Sequence, residues 1–219
     1  MRIRYCLVIL FVLPLFYLHA QDATRFENDI KKFRQQSDTL DLSGYDAVMV
    51  GSSSVRMWKD IDSYFPGFSW LNRGFGGSQM SDVLYYREDL VFRHSFDKIF
   101  LYEGDNDIAS GKSPGRVKRD FKELLDEIRD RMPETEVYII GVKPCIQENR
   151  AGKRKKYMKF NRRMERWCNR REKFHFIDVW ADMLGEDGNP VASFFLKDGI
   201  HMTAEGYAIW AENIRPFLK

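Results

Sequence analysis

Short apolar segments and amphipathic segments alternate about five times along this 219-residue chain. The apolar segments, each of which predicts a buried strand, lie at 47–50, 67–71, 96–102, 136–142 and 174–180. Helical spacing of apolar residues is found at 24–36, 78–92, 114–132 and 153–171, and a last helix follows Thr203. Strands that alternate with helices build a parallel sheet that is covered on both faces. We therefore predict an α/β fold, a three-layer flavodoxin-like sandwich with about five parallel strands and helices on both faces.

The first 20 residues have the composition of a secretory signal peptide. Arg2 and Arg4 precede an uncharged, mostly apolar run over 5–18, and Ala20 places a small residue before Gln21. This run is shorter than the roughly 20 apolar residues that a membrane-spanning helix needs. We therefore predict that residues 1–20 direct export and are removed, so that the protein is secreted or periplasmic without a stable membrane anchor. Residues 21–219 are long enough for one domain with a sizeable core.

Charge and cysteine content argue against several classes of function. The chain has a net charge of +3, and its first 20 residues carry two arginines and no acids, so the remainder carries about +1. This near balance gives no support for a nucleic-acid partner. Cys145 and Cys168, which follow the signal segment, can form one disulfide or stay as two buried thiols, and we favour the thiols. The sequence has no Cys-x-x-Cys pair or His/Cys cluster that predicts a metal site.

The serine-rich turn after the first strand is the first candidate site. The apolar run 47–50 ends in Gly51-Ser52-Ser53-Ser54, and 55–58 resume with a pattern compatible with a helix. Such a turn presents a small side chain beside the unpaired N–H groups of the helix's first turn. A serine there has the surroundings of a nucleophile. Serine is also a common helix cap in ordinary loops, so both interpretations stay open.

His201 is the candidate base among the three histidines that follow residue 20. His94 and His175 have neighbours typical of core or surface positions, whereas His201 lies in a loop before the last helix, three residues after Asp198. A carboxylate at that spacing can orient an imidazole and stabilise its protonated form. The same segment also suits an Asx turn, which is the structural alternative.

Two further loops contain candidate donors for an oxyanion. Asn106 follows the third predicted strand and offers a side-chain amide, and Gly77 follows the second and offers an N–H group that no Cβ obstructs. Such donors stabilise the negative oxygen that develops during ester cleavage. Loop capping by Asn106 and left-handed backbone at Gly77 are the structural alternatives.

Four segments, in this order, resemble the motif blocks of the SGNH hydrolase family, also called GDSL-type esterases and acylhydrolases. They are Val50-Gly51-Ser52-Ser53-Ser54, Asn72-Arg73-Gly74-Phe75-Gly76-Gly77, Gly104-Asp105-Asn106-Asp107 and Asp198-Gly199-Ile200-His201. The resemblance spans almost all of residues 21–219. The spelling of the first block is similar to the platelet-activating-factor acetylhydrolase-like branch.

The resemblance implies a catalytic triad of Ser53 as nucleophile, His201 as base and Asp198 as the acid that orients His201. It implies an oxyanion hole formed by the N–H groups of Ser53 and Gly77 and by the side chain of Asn106. Ser52 stands where the family usually has Asp, and Ser54 is a further neighbouring serine. The spacing from Gly51 to Trp58 favours Ser53 over both of them.

The function implied by the resemblance is that of an exported serine esterase that needs no metal or cofactor. Its expected partner is a small-molecule or glycan ester, from which it removes short acyl groups, acetyl above all. The alternatives are a lysophospholipase-like lipid acylhydrolase and a non-catalytic glycan-binding module with the same fold. The oligomeric state stays open.

A basic run lies outside the motif blocks. It consists of Arg150, Lys153, Arg154, Lys155 and Lys156. Such a run can hold an acidic glycan or a phospholipid headgroup, but a solvated helix face is the interpretation that we favour.

Overall fold

The computed structural model describes residues 22–218, and a five-stranded parallel sheet lies at its centre. The strands are β1 (Ala47–Gly51), β2 (Trp70–Gly74), β3 (Lys98–Tyr102), β4 (Glu136–Ile140) and β5 (Phe174–Ile177). Their order, β2-β1-β3-β4-β5, is the flavodoxin-like one, so the predicted fold class is confirmed. β1 pairs with both neighbours so that Gly51 lies opposite Gly74 and Tyr102. The loops after β1, β2 and β3 therefore start from one edge of the sheet.

Helices cover both faces of this sheet. They are α1 (Glu27–Thr39), α2 (Ser53–Met57), α3 (Ile61–Tyr64), α4 (Met80–Tyr85), α5 (Asp105–Ala109), α6 (Pro114–Arg131), α7 (Glu148–Ala151), α8 (Arg154–Cys168) and α9 (Ala204–Ile214). Phe121 of α6 and Phe160 of α8 lie in the hydrophobic core of one face. Val55 of α2 and Trp210 of α9 lie in the core of the other. The fold therefore has three layers, with the sheet in the middle.

Short turns of other helical types complete the described chain. They are the 3-10 turns Ala23–Phe26, Leu42–Gly44, Ala181–Met183, Ala192–Phe194 and Arg215–Phe217, and the π turn Glu88–Phe92. The first of these replaces the start of the helix predicted at 24–36, and the π turn replaces the end of the helix predicted at 78–92. The cap of α6 is confirmed, since Ser113 accepts a hydrogen bond from the N–H of Arg116 and Pro114 is the first helical residue.

The strand predicted at 67–71 lies further along the chain, at Trp70–Gly74. Pairing with β1 continues through Asn72 and Arg73, which the sequence pattern assigns to a loop. Arg73 is buried there, and its guanidinium donates to Ser37 Oγ at 2.6 Å. A charged residue can therefore belong to a buried strand when a side chain on another element accepts its hydrogen bonds.

Two predictions concern the chain ends and the cysteines. The signal peptide predicted at 1–20 lies outside the described residues, and none of the helices within 22–218 has the length and apolar character needed to cross a bilayer. Cys145 and Cys168 are free and buried, as favoured from the sequence. Burial raises the pKa of both thiols, that of Cys168 to about 12, so both stay protonated at neutral pH.

Candidate active site

Ser53 is the first residue of α2, and only Ser52 separates it from the end of β1. Its side chain is partly exposed, whereas Ser52 and Ser54 are 0% and 1% exposed. The turn is tight because α2 passes close to β2: a Cβ on Gly74 would lie 2.2 Å from the backbone N of Arg56. Of the three serines, Ser53 is the one that a ligand can reach.

Two side chains attach α2 to its surroundings. Asn72 of β2 donates from Nδ2 to the carbonyl oxygen of Val55 at 2.8 Å. Tyr207 of α9 donates from its hydroxyl to the carbonyl oxygen of Ser54 at 2.8 Å. The carbonyl oxygen of Val55 also accepts the N–H of Trp58 at 3.1 Å, whereas that of Ser54 accepts from Tyr207. The two side-chain bonds hold the short helix from β2 and from α9, so the position of Ser53 is well defined.

His201 faces Ser53 from the loop before α9. Its Nε2 lies 2.9 Å from Ser53 Oγ, and its Nδ1 lies 2.5 Å from Asp198 Oδ2. The other carboxylate oxygen of Asp198 accepts hydrogen bonds of 2.9 Å from the N–H groups of Ile200 and His201. The Asx turn and the imidazole contact, which were alternatives from the sequence, are therefore made by the same carboxylate.

Asp198 is an anion at neutral pH. Partial burial opposes its ionisation, but the hydrogen bonds from the His201 ring and from the N–H groups of Ile200 and His201 lower the pKa of Asp198 to about 2. A carboxylate in contact with Nδ1 favours the imidazole tautomer that leaves Nε2 free to accept the Ser53 proton.

Lys143, which the sequence analysis did not single out, anchors the same loop. Its Nζ donates to the carbonyl oxygen of Ile200 at 2.6 Å, and its side chain is almost fully buried. Burial lowers the pKa of the Lys143 amine, while the nearby Asp105 carboxylate raises it. Lys143 follows an apolar strand and precedes a proline, and no local pattern distinguishes it from an exposed loop lysine.

Asn106 is the second residue of α5, and both ends of its carboxamide are held. Nδ2 donates to the carbonyl oxygen of Ser78 at 2.9 Å, and Oδ1 accepts from Arg150 Nη2 at 2.8 Å. Arg150 also pairs with Asp105 Oδ2 at 3.3 Å. An amide has two N–H hydrogens, so the second one on Nδ2 is available to a ligand.

The prediction of a solvated face is wrong for three cations of the basic run. Arg150 contacts Asn106, Lys153 donates to the carbonyl oxygen of Ala109, and Arg154 donates to that of Gly188 at 2.9 Å. Only 155–156 are exposed, as expected. The partners of these cations are distant in sequence, which is why the charge pattern alone did not reveal them.

Gly77 lies in the loop between β2 and α4. It has a φ of +83°, and a Cβ added to it would meet no atom within 4 Å. The left-handed backbone, rather than crowding, therefore requires glycine here. Gly77 directly precedes Ser78, the residue whose carbonyl oxygen receives the Asn106 bond, so the Gly77 loop adjoins the first turn of α5.

A buried carboxyl group, Glu103, lies just before α5 and contacts the Gly77 loop through Ser78. Ser78 Oγ lies 2.5 Å from Glu103 Oε1 and 2.9 Å from the carbonyl oxygen of Phe75. One hydroxyl hydrogen cannot serve both acceptors, but a protonated Glu103 can donate to Ser78 while Ser78 donates to Phe75. Burial, and then the nearby Asp107, raise the pKa of Glu103 well above its ordinary value. Sequence reasoning gave Glu103 no role because its burial depends on the fold.

A cavity of 220 Å³ opens beside Arg150. Its wall includes the rings of Tyr157 and Trp180 and the polar groups of Arg150, Arg154 and Asn189. The Arg154 guanidinium lies 5.7 Å from the centroid of the Trp180 ring. Because Arg150 contacts Asn106 directly, the cavity adjoins the first turn of α5.

The structure thus joins Ser53, His201 and Asp198 in one hydrogen-bonded chain. A hydroxyl, an imidazole and a carboxylate in this sequence can move the hydroxyl proton to Nε2 while the oxygen attacks an electrophilic carbon. His175 lies elsewhere, partly exposed and stacked on the Tyr138 ring with centroids 4.7 Å apart, in keeping with the core or surface position expected for it.

Comparison with known proteins identifies a matching family. The profile of the GDSL-like lipase/acylhydrolase family matches residues 44–209, a range that contains Ser53, Asn106 and His201. Comparison with curated proteins found no match at the threshold applied.

Solved structures share the fold at low sequence identity. A Streptococcus pneumonia protein that is provisionally described as a platelet activating factor is 19% identical, with a TM-score of 0.78 over 88% of this chain and 92% of its own. A GDSL-like lipase from Bacteroides thetaiotaomicron is 19% identical, with a TM-score of 0.75 over 86% and 96%. A variant of an acetylxylan esterase from Geobacillus stearothermophilus is 14% identical, with a TM-score of 0.63 over 80% and 94%. At these identities the likeness is one of fold.

Proposed function

This chain belongs to the GDSL-like lipase/acylhydrolase family and is a carboxylic ester hydrolase, and on that premise we propose that it is an exported serine esterase that removes short acyl groups, acetyl above all, from carbohydrate esters. The observation that carries the serine mechanism is the contact of 2.9 Å between Ser53 Oγ and His201 Nε2, with Asp198 at 2.5 Å on the other side of the ring. The predicted signal peptide at 1–20 is the basis for proposing export.

In the first half of the proposed reaction, Ser53 Oγ forms a bond to the ester carbonyl carbon as its proton passes to His201 Nε2. The tetrahedral intermediate then expels the alcohol, which takes the proton from His201, and an acyl-serine remains. In the second half, water gives a proton to His201 and its oxygen attacks the acyl carbon. The bond between the acyl carbon and Ser53 Oγ then breaks, Ser53 Oγ takes the proton back from His201, and the acid is released. Asp198 stays ionised throughout and stabilises the imidazolium.

The oxyanion of both intermediates is assigned to three donors. They are the N–H groups of Ser53, at the start of α2, and of Gly77, and the free N–H of the Asn106 carboxamide. Removing one such donor typically costs about a hundredfold to a thousandfold in rate. Because Arg150 is bonded to Asn106 Oδ1, it polarises the amide and makes Nδ2 a better donor.

The cavity beside Arg150 supports a carbohydrate as the alcohol part of the ester. Small-molecule sites are usually lined by apolar and aromatic side chains with a few convergent polar groups. The buried rings of Trp180 and Tyr157 form part of the wall, and Arg154 and Asn189 offer donors to hydroxyl groups. We therefore assign the sugar to this cavity, with the scissile ester between the cavity and Ser53.

A lipid ester is the second candidate because two large apolar side chains are exposed beside the His201 loop. Ile146 is 42% and Leu196 is 40% exposed. The N–H of Ile146 donates to the carbonyl oxygen of Gly199 at 2.9 Å, and that of Leu196 to the carbonyl oxygen of His201 at 2.7 Å. They form an open apolar rim on which a longer acyl chain could lie.

The test is hydrolysis of p-nitrophenyl acetate, butyrate and octanoate by protein from Gln21 onward, with Ser53→Ala and the control Ser54→Ala. The first variant should lose about four to six orders of magnitude in rate, while the second should keep most of its activity. Equal activity of wild type and Ser53→Ala would refute the choice of nucleophile.

The substrate class is tested with acetylated xylo-oligosaccharides and lysophosphatidylcholine. Faster release of acetate from the sugar supports the carbohydrate assignment. Preference for octanoate and the lipid, lost in an Ile146→Ser/Leu196→Ser double variant, would replace it with the second candidate. Export is tested by expressing the full chain and sequencing the amino terminus of the secreted or periplasmic product, which should begin at Gln21.

A further inference from the structure

A basic groove lies between α6 and α8, away from the candidate active site. It encloses 680 Å³, and six of its seven lining residues are cations. These six, the groove cations, are Lys118, Lys122, Arg163, Arg166, Arg170 and Arg171. The seventh is Trp167, and no carboxylate is among the lining residues. Residues 21–219 carry a net charge of only about +1, so positive charge is concentrated in this groove.

Most of the groove cations lack a carboxylate partner. Lys122 pairs with Asp126 one turn along α6. Within residues 22–218, four of the groove cations have no carboxylate within ion-pair distance: Lys118, Arg163, Arg166 and Arg170. Like charges held together without counter-charges repel one another, and a bound anion relieves that repulsion.

Helical geometry explains how the cations come to face one another. On α6, positions 118 and 122 are one turn apart. Positions 163 and 166 lie on one face of α8, and position 170, two residues after its end, continues the same i, i+3, i+7 spacing. Adjacent packed helices lie about 8–10 Å apart, so the two rows form the walls of a narrow channel. Lys118 and Arg163 are half-buried in its walls, whereas the others are exposed.

The groove extends toward the edge of the sheet opposite to Ser53. Arg171 lies three residues before the amino end of β5, and Ser53 follows the carboxyl end of β1. All five strands are parallel, so these two ends belong to opposite edges. The groove therefore has no part in the proposed ester chemistry.

We infer that this groove binds a linear acidic polysaccharide through its carboxylate or sulfate groups. The planar guanidinium of arginine suits the two oxygens of such groups, and four of the six cations are arginines. A bilayer surface is a poorer fit because Lys118 and Arg163 are half-buried in the channel walls, so that a flat surface would contact mainly the four exposed cations.

Single-stranded nucleic acid is also a poor fit, because it needs exposed aromatic rings for its bases to stack on. Trp167 is only 6% exposed, and the Arg171 guanidinium covers its ring at 4.1 Å. A chain held by its anionic groups, with no ring stacking, is what the lining favours. In an enzyme that acts on glycans, such a groove would keep the polymer bound between turnovers.

The experiment compares two triple variants that remove the same charge from the same part of the protein. The groove variant is Arg163→Gln/Arg166→Gln/Arg170→Gln. The control is Arg119→Gln/Lys155→Gln/Arg162→Gln, whose residues are exposed on α6 and α8 but do not line the groove. Binding of heparin and of polygalacturonate is measured at physiological ionic strength, together with hydrolysis of p-nitrophenyl acetate and the melting temperature.

We expect the wild type to bind at least one of the two polysaccharides. The groove variant should bind about tenfold more weakly or worse, and the control should change about twofold or less, because only the groove arginines contact the anionic groups. Ester hydrolysis should be unchanged in both variants. Ser53→Ala should bind the polysaccharide as the wild type does, which separates this inference from the proposed esterase function.

The inference is overturned if both variants lose binding equally, since the effect would then be one of net charge. It is also overturned if the wild type binds neither polysaccharide, or if phosphatidylglycerol vesicles or oligothymidylate bind more tightly and in a groove-dependent way. If the triple groove variant does not fold, the single variants Arg166→Gln and Arg170→Gln, both at exposed positions, give the same comparison with Arg162→Gln.

Discussion

Replacing Arg150 with methionine should lower kcat for p-nitrophenyl acetate by about tenfold to a hundredfold, through Asn106. In the structure, Arg150 Nη2 donates to Asn106 Oδ1 at 2.8 Å, and the carbonyl oxygen of Ser78 holds one N–H of the same carboxamide at 2.9 Å. Without Arg150, the carboxamide keeps one of these two contacts and can rotate. Its free N–H would then no longer be held toward the oxyanion.

The magnitude follows from the strength of the lost contact. A hydrogen bond to a charged group contributes about 1.5–3 kcal/mol. If this energy is expressed in the transition state, where Asn106 donates to the oxyanion, each 1.36 kcal/mol corresponds to about a factor of ten in rate. The Arg150 side chain is only 18% exposed, so water replaces the lost donor poorly.

The assay is a double-mutant cycle of Arg150→Met and Asn106→Ala, read as kcat and KM. Arg150→Met should have an effect of about twofold or less once Asn106 is alanine, because its target is then absent. Lys155→Met, an exposed cation of the same basic run, is the matched control and should leave kcat unchanged. An equal loss of kcat from Arg150→Met in both backgrounds would refute the assignment, since Arg150 would then act independently of Asn106.

Three further predictions concern the supporting residues. Burial raises the pKa of Glu103, so between its unfolded and folded pKa values the folded protein holds a proton that the unfolded chain has released. The wild type therefore loses stability as the pH rises through this range, and Glu103→Gln should remove that loss. Melting temperatures at pH 5 and pH 8 should converge in the variant, and parallel curves would contradict this. Gly74→Ala should lower the free energy of unfolding in urea by about 1–3 kcal/mol and reduce activity, because the new Cβ would lie 2.2 Å from the backbone N of Arg56. The control Gly44→Ala, whose Cβ would have no atom within 4 Å, should leave the free energy of unfolding unchanged. Lys143→Met should lower kcat about tenfold with a smaller change in KM, as the hydrogen bond to the loop that carries His201 is lost; unchanged kcat would show that this loop needs no such anchor.

The order of the strands and helices could be predicted because it depends on local properties. Apolar periodicity marks each element, and the pair Ser113-Pro114 marks the start of α6. The boundary of β2 could not be predicted in this way. Its last residues form a strand because β1 pairs with them and Ser37 satisfies Arg73, and both partners lie outside any local window.

The chemical groups of the site follow from the sequence alone, since motif spacing puts a serine, an amide and a histidine in loops that a parallel sheet brings to one edge. Their catalytic roles stay predictions. Only the tertiary structure decides which distant side chains surround them. Arg150 reaches Asn106 across 44 positions and Lys143 reaches Ile200 across 57. Whether such a charge is solvated or buried against a partner depends on how the helices and loops pack, which local propensity does not encode.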